Sequence, residues 1–182
     1  ADRLNHLVGN LLDMTRIEAG ALRASPEPCD IQEVVSAALD RLGSRLEDRP
    51  LVLETPSLLL PMDFALMVQV LVNLLENALK YSPPRTPIAV TAQVTGGALQ
   101  ISVCDRGDGV PEEDLERIFD KFYRVQRLPR VSGTGLGLAI CRGIVQSHGG
   151  RIWAQNRPGG GLAITLALPC APAAPSMRSE SA

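Results

Sequence analysis

The sequence predicts an α/β (α+β) two-layer sandwich, with helices laid on one face of a mainly antiparallel sheet. Three observations point there. Runs at 31–46 and 61–82 carry apolar residues at three- and four-residue spacing, as a helix with one buried face does. Two β-rich runs, 88–94 and 99–104, are separated by Gly96-Gly97, which is a hairpin signal. A second pair, 151–155 and 162–168, is joined by a turn over 156–161.

Taken in order, residues 2–19 alternate apolar and polar at helical period, with Leu4, Leu7, Val8, Leu11, Leu12, Met14 and Ile17 as the stripe and Gly20 as the stop. Residues 21–30, with Pro26 and Pro28, read as an extended edge segment, after which Asp30 caps a helix to about residue 46. Residues 51–55 make a short strand stopped by Pro56. Pro61 and Asp63 open the central helix and Pro83-Pro84 end it. Beyond the first hairpin, 111–117 reads as a short helix with acids at 112–114 favouring its N-terminus. Phe119, Phe122 and Tyr123 follow as a local hydrophobic anchor whose rings belong to the core, and the aperiodic stretch 125–132 reads as a mobile loop. A last helix runs from the glycine-rich 133–137 segment to about His148 and closes at Gly149-Gly150. The Ala/Pro/Ser-rich stretch 171–182 reads as a disordered tail.

Composition narrows the function. A chain of 182 residues with 45% apolar content supports one domain with a sizeable core. The formal net charge of -2, with scattered basic residues, carries no nucleic-acid footprint. No apolar run approaches the length of a membrane span, so no direct membrane contact is expected. Cys29, Cys104, Cys141 and Cys170 lie far apart with no CxxC pair, and neither His6 nor His148 stands at ligand spacing from them. They read as reduced structural thiols in a reducing compartment.

Three stretches carry chemistry. On the central helix, Asn73, Glu76, Asn77 and Lys80 fall within an arc of about 100° opposite the apolar stripe of Met67, Val70, Leu71, Leu74 and Ala78. A solvated surface is the ordinary reading of such a face. Two asparagines one turn apart argue against it, because Asn is a poor interior helix former whose oxygen suits a hard cation such as magnesium, and the lysine would reach a phosphate. Downstream, the strand ending at Cys104 runs into Asp105-Arg106-Gly107-Asp108-Gly109-Val110-Pro111. A plain Asp-x-Gly turn is one reading; the other is a carboxylate at a pocket floor, with Gly107 and Gly109 letting a flat ligand approach the backbone. The third stretch is Gly133-Thr134-Gly135-Leu136-Gly137-Leu138. Glycines entering a helix leave backbone N–H groups bare at the positive end of its dipole, a phosphate site in kind, against the alternative of a ligand-free hinge. Neither the dinucleotide fingerprint nor a P-loop is present.

Asn-rich helix, strand-end Asp with glycines, aromatic patch, basic loop and glycine-opened helix follow one another in an order that resembles the ATP-binding domain of sensor histidine kinases, within the gyrase, Hsp90, histidine kinase and MutL superfamily. The N box is NLLENALKYS, the G1 box DRGDGVP, the F box FDKFYR and the G2 box GTGLGLAI, over residues 73–140. The segments NLLDMTRIEAG, FDKFYR, LGLAICRGIVQSHGG and NRPGGG look most like the Kdp-type potassium-responsive sensor kinases.

The resemblance implies a Bergerat-type ATP-binding fold with a mixed, mainly antiparallel sheet, ATP and Mg2+ as ligands, and transfer of the γ-phosphate to a histidine and thence to a response regulator of Kdp type. Asn77 would hold the magnesium, with Asn73 supporting the phosphates; Lys80 would meet a phosphate oxygen and Tyr81 would line the nucleotide. Asp105 would accept from the adenine amino group, Gly107 and Gly109 would admit the ring, and Val110, Phe119, Phe122 and Tyr123 belong to the same wall. Arg124, with Arg127 or Arg130, would reach the phosphates from the lid; Gly133, Thr134, Gly135, Leu136, Gly137 and Leu138 would present backbone to them. Lys80 and Arg124 would be the catalytic cations and Glu76 an acid/base assistant.

The chain also departs from the family. A superfamily ATPase carries a water-activating glutamate where this chain has Asn73, which favours transfer over hydrolysis. The acceptor-histidine box is missing: His6 sits on what resembles the second dimerisation helix, and His148 ends a helix. Residues 1–20 are therefore expected to be the second helix of a truncated dimerisation hairpin, 21–170 the ATP-binding domain and 171–182 the tail. The implied setting is a cytoplasmic domain of an inner-membrane-anchored homodimer. An ATPase, and a nucleotide-sensing module without transfer activity, are the competing readings.

Overall fold

The computed structural model describes residues 2–125 and 133–170, with side chains from residue 8 onward. Expectations placed on the 126–132 part of the loop, on Arg127 and Arg130, on the side chains of Leu4, His6 and Leu7, and on the 171–182 tail lie outside the described residues.

Seven strands and four helices follow one another as α1 (Asp2–Glu18), β1 (Glu27–Asp30), α2 (Ile31–Leu42), β2 (Leu51–Glu54), β3 (Leu59–Met62), α3 (Phe64–Tyr81), β4 (Ile88–Thr95), β5 (Ala98–Cys104), α4 (Gly137–Ser147), β6 (Arg151–Asn156) and β7 (Leu162–Pro169). The main sheet has the order β2-β4-β5-β7-β6. Only β2 against β4 is parallel, and the remaining pairs are antiparallel, so the sheet is mixed and mainly antiparallel as expected. Strand alternation puts one row of side chains under the helices: Ile88 and Val90 on β4, Leu99, Ile101 and Val103 on β5, and Ile164, Leu166 and Leu168 on β7 are all buried. From above, α3 seals this face with Met67, Leu71, Leu74 and Leu75, each at most 1% exposed and each contributing roughly 1.5–3 kcal/mol by leaving water. The expected stripe of Met67, Val70, Leu71, Leu74 and Ala78 is the buried face.

Several boundaries differ from the sequence expectation. The central helix starts at Phe64, with the Asp63 side chain accepting from Leu66 N–H at 3.1 Å. Pro61 instead lies in β3, paired with Pro28 of β1 in a two-stranded antiparallel ribbon that lies apart from the main sheet. Two prolines opposite each other suit a ribbon in which neither needs to donate. The extended segment 21–30 is a strand only over Glu27–Asp30. Helix α2 stops at Leu42, because Gly43 turns to φ +46° and the chain tightens into a 3-10 turn over Gly43–Leu46. The short helix expected at 111–117 is two separate 3-10 turns, Glu112–Asp114 and Arg117–Phe119, since the segment's apolar residues are too few to hold a longer helix against the core. The Gly96-Gly97 hairpin and the Gly149-Gly150 stop stand as read, with positive φ at Gly96, Gly97 and Gly149.

Helix α1 docks on the domain rather than standing alone. Met14 is buried, Asp13 accepts from Gln69 of α3 at 2.6 Å, and Ile17 lies against Gly143 of α4, where an added Cβ would meet Ile17 carbons at 2.6 to 2.9 Å. Glu18 pairs with Lys121. Its opposite side leaves Val8, Leu11 and Leu12 about half exposed, so the expected stripe divides into a docked edge and an uncovered one. No helix among the described residues is long and apolar enough to cross a membrane.

Candidate functional site

Helices α3 and α4 lie side by side in antiparallel register, joined by polar ties at three heights. Asn73 Nδ2 donates to Gly137 O at 3.4 Å, Cys141 Sγ approaches Val70 O at 3.7 Å, and His148 Nε2 accepts from Asp63 N–H at 3.0 Å. The Asp63 N–H requires an acceptor, which assigns the His148 proton to Nδ1, bonded to Ile144 O at 2.8 Å. Both ring nitrogens are thus used structurally. Burial pushes the Cys141 thiol up to about 12, with Asn73 opposing, so it stays an inert neutral group.

The polar face of α3 is divided by tertiary contacts. Asn73 is buried toward the start of α4, and a Cβ on Gly137 would lie 3.8 Å from its Cγ. Glu76 turns the other way, where Oε1 meets Arg45 Nη1 at 2.6 Å. Asn77 and Lys80 are half-buried, and Lys80 Nζ would lie 4.0 Å from a Cβ on Gly133. Asn73 and Lys80, about two turns apart on α3, are therefore brought against the two ends of the glycine segment, Gly137 and Gly133. The same face borders a cleft of about 420 Å³ between α1, α2 and α3, lined by Asn10, Asp13, Gln69, Asn73 and Glu76 among others.

Helix α4 begins at Gly137, and its cap residue Leu136 makes no side-chain hydrogen bond to the first N–H groups. An uncapped helix N-terminus keeps bare donors and the positive end of the dipole. Gly135, at φ +72°, leads into it, and its Cα packs on the Phe122 backbone, whose N–H donates to Gly135 O at 2.9 Å. Thr134 Oγ1 accepts from Leu136 N–H at 3.3 Å, Leu136 is buried and Leu138 is half-buried.

Asp105 follows β5 and opens the loop that packs on the end of α3. Its Oδ1 accepts from Gly107 N–H at 2.7 Å and Leu162 N–H at 3.2 Å. Oδ2 has no hydrogen-bond partner among the described residues and is not sealed from solvent, so one acceptor stays open on a residue only 8% exposed. Burial raises the Asp105 carboxyl above its ordinary value, while the hydrogen bonds from Gly107 and Leu162 oppose the rise.

The glycines after Asp105 are required by the protein itself. A Cβ on Gly107 would drive into the Tyr81 carbonyl at the end of α3, and one on Gly109, at φ +76°, would lie 2.5 Å from Asn156 Oδ1. Tyr81 is exposed beside this contact, and Val110 is buried.

The aromatic cluster does not form a single core anchor. Phe119 is buried, Tyr123 is half-buried with its hydroxyl donating to Asp114 at 2.5 Å, and Phe122 is 65% exposed at φ +60°. A bulky residue in the left-handed region is held there by surrounding contacts, here the Gly135 backbone, and Asp120 adds an ion pair to Arg142 of α4 at 3.2 Å. Arg124 is exposed at the end of this run.

Sequence reasoning missed three side chains that build the site's frame. Asn156, the last residue of β6, and Arg157, the first of the β6–β7 turn, bond the segment after β5. Arg49 donates through both Nη atoms to carbonyls and hydroxyls at the end of α3. The turn at 156–161 was visible, but nothing in its composition names the strand-end loop it grips.

A mixed sheet carrying an uncapped helix, an amide-rich helix and a strand-end carboxylate defines the nucleotide-binding sandwich of the Bergerat type. The chain belongs to the histidine kinase-, DNA gyrase B-, and HSP90-like ATPase family, whose model matches residues 62–172. It is 46% identical over 164 residues to the sensor protein KdpD of Escherichia coli K12, covering 90% of this chain and 18% of that protein. To the sensor histidine kinase WalK of Bacillus subtilis it is 37% identical over 182 residues, covering 92% of this chain and 29% of WalK. Among solved structures it superposes on full-length ShkA in complex with AMPPNP with a TM-score of 0.79 and 29% identity, covering 95% of this chain and 37% of that one. The chain thus spans less than a third of the length of either sensor kinase.

Proposed function

We propose that this chain is the ATP-binding catalytic part of a two-component sensor histidine kinase, which passes the ATP γ-phosphate to a histidine on a dimerisation helix and from there to a response regulator. The observation that carries the reading is Asp105, a buried carboxylate with one oxygen pinned by two backbone N–H groups and the other left open as an acceptor, suited to the amino group of adenine. The N-terminus of α4 and the Lys80 amine, which lie near one another, suit phosphates. Val110, Phe119, Tyr81, Phe122 and Tyr123 form the surroundings of the base and lid, and the 133–138 backbone faces the phosphates.

Asn77, with Asn73 beside it, supplies the neutral oxygen that a hard cation takes, so Asn77 would hold Mg2+, which when bound offsets phosphate charge. Lys80 and Arg124 serve as the catalytic cations that stabilise charge developing during transfer. Glu76 would assist as an acid or base only once released from Arg45. Asn73, in the place of a water-activating glutamate, favours transfer over hydrolysis.

Helix α1 is read as the second helix of a dimerisation hairpin, with 21–170 as the catalytic domain; its uncovered Val8, Leu11 and Leu12 suit a partner helix and a homodimer in the longer protein. The likeness to KdpD supports a Kdp-type regulator and potassium or osmotic signalling, in a cytoplasmic domain of an inner-membrane-anchored protein, while the likeness to WalK shows the same domain serving another sensor.

The test is calorimetric titration with ADP and AMPPNP, with and without magnesium, on the wild type, Asn77→Ala and Asp105→Ala. Asn77→Ala should abolish the magnesium-dependent gain in affinity. Loss of a hydrogen bond to an ionised acceptor, about 1.5–3 kcal/mol, should weaken Asp105→Ala roughly ten- to more than a hundredfold. A folded wild type that binds neither nucleotide overturns the proposal. Transfer of label from ATP to a supplied histidine-bearing helix separates the kinase from an ATPase, which releases phosphate alone, and from a sensing module, which does neither.

A further inference from the structure

The segment from Asp105 to Glu112 has little regular structure of its own, and its position is set from outside by the β6–β7 turn. Asn156 makes a two-point clamp on one residue: Oδ1 accepts from Val110 N–H at 2.9 Å and Nδ2 donates to Val110 O at 2.6 Å, with a further bond to Glu112 Oε1 at 3.2 Å. At the other end of the segment, Arg157 Nη1 donates to Asp105 O at 2.7 Å, Asp105 N–H donates to Leu162 O at 3.0 Å, and Leu162 N–H donates to Asp105 Oδ1 at 3.2 Å. Gly161 closes the contact, since a Cβ there would drive into the Asp105 carbonyl.

An amide that satisfies both the donor and the acceptor of a single residue reproduces one rung of a sheet ladder with a side chain. It also explains the bare Cα at Gly109, which makes room for Asn156 Oδ1. Asn156 is exposed and stands outside the core, so its bonds add little that the fold needs. What they constrain is the loop that aims the open oxygen of Asp105.

We infer that Asn156 is a positioning residue for base recognition: by clamping Val110 it holds the strand-end loop so that the Asp105 carboxylate meets the 6-amino group of a purine. The inference rests on the nucleotide reading above. It assigns to the end of β6 control over selectivity for the base.

The experiment compares ADP with purine riboside 5′-diphosphate, which carries hydrogen in place of the 6-amino group, by calorimetry on the wild type, Asn156→Ala and the near-isosteric Asn156→Asp. The aspartate keeps an acceptor for Val110 N–H but faces Val110 O and Glu112 with a second acceptor. The wild type should prefer ADP by tenfold or more. Both variants should bind ADP about tenfold more weakly and purine riboside diphosphate almost as the wild type does, so that the preference falls to within about twofold. A merely structural role lowers both affinities by the same factor and leaves the ratio unchanged; that result, or unchanged affinity for both ligands, overturns the inference. Should Asn156→Ala fail to fold, the ratio measured on Asn156→Asp decides. A wild type with no preference between the two ligands instead overturns the reading of Asp105 on which the inference stands.

Discussion

Replacing Arg49 with alanine should cost this domain more stability than any other change to a half-exposed side chain. Arg49 comes from the turn ahead of β2 and reaches the end of α3, where Nη2 donates to Leu79 O at 3.1 Å and Ser82 O at 3.0 Å. Nη1 is shared among Pro83 O at 2.6 Å, Ser82 Oγ at 3.0 Å, Thr86 Oγ1 at 3.1 Å and Thr86 O at 3.2 Å. Four N–H hydrogens serve six acceptors, so about four bonds to a cation are lost on deletion. Each contributes roughly 1.5–3 kcal/mol in a closed setting, but carbonyls at a half-exposed helix end regain water. The favourable charge at the negative end of the α3 dipole is lost as well. The net cost is about 2–4 kcal/mol, which for a chain of this size lowers the melting temperature by roughly 5–15 °C. Urea denaturation of the wild type, Arg49→Ala and Arg49→Lys reads it directly, with the lysine recovering less than half because an ammonium lacks the planar fork. A loss below about 0.5 kcal/mol for the alanine variant would refute the reasoning. Because Gly107 packs on the Tyr81 carbonyl at the same helix end, Arg49→Ala should also weaken nucleotide binding at temperatures where it remains folded.

Asp105→Asn separates stability from binding. A carboxyl whose folded value is raised loses stability as pH rises from its ordinary 3.8 through that raised value, so the ionised side chain is a burden at neutral pH. The amide oxygen still accepts from Gly107 and Leu162; the variant should be at least as stable as the wild type at pH 7 in urea titrations and should lose the Asp105 contribution to the acid slope, while binding ADP tenfold or more weakly. Gly143→Val should undock α1, because Ile17 already fills the space. Trypsin should then cut after Arg16 far faster than in the wild type, with the nucleotide-binding core unchanged in melting temperature to within a few degrees.

Much of the fold was legible locally. The α3 stripe, the Asp30 and Asp63 caps and the Gly96-Gly97 hairpin depend on residues within a few positions of one another, where periodicity and capping chemistry act directly. The strand-end Asp105 and the glycine-opened α4 were legible for the same reason.

What the tertiary structure alone decided depends on partners distant in the chain. The ribbon that takes Pro61 into β3 needs Pro28, 33 residues earlier, and the parallel pairing of β2 with β4 has no turn to announce it. One helix face reading as a single polar arc is split because Arg45 draws Glu76 to one side while Gly137 draws Asn73 to the other. Gly107 and Gly109 were legible as glycines, but the groups that require them, the Tyr81 carbonyl and Asn156, are set only once α3 and the β6–β7 turn close on the loop. Sequence determined which groups this protein offers to the proposed nucleotide site; packing between distant segments determined where each one lies, because hydrogen bonds and steric exclusion act through space and leave no spacing rule along the chain.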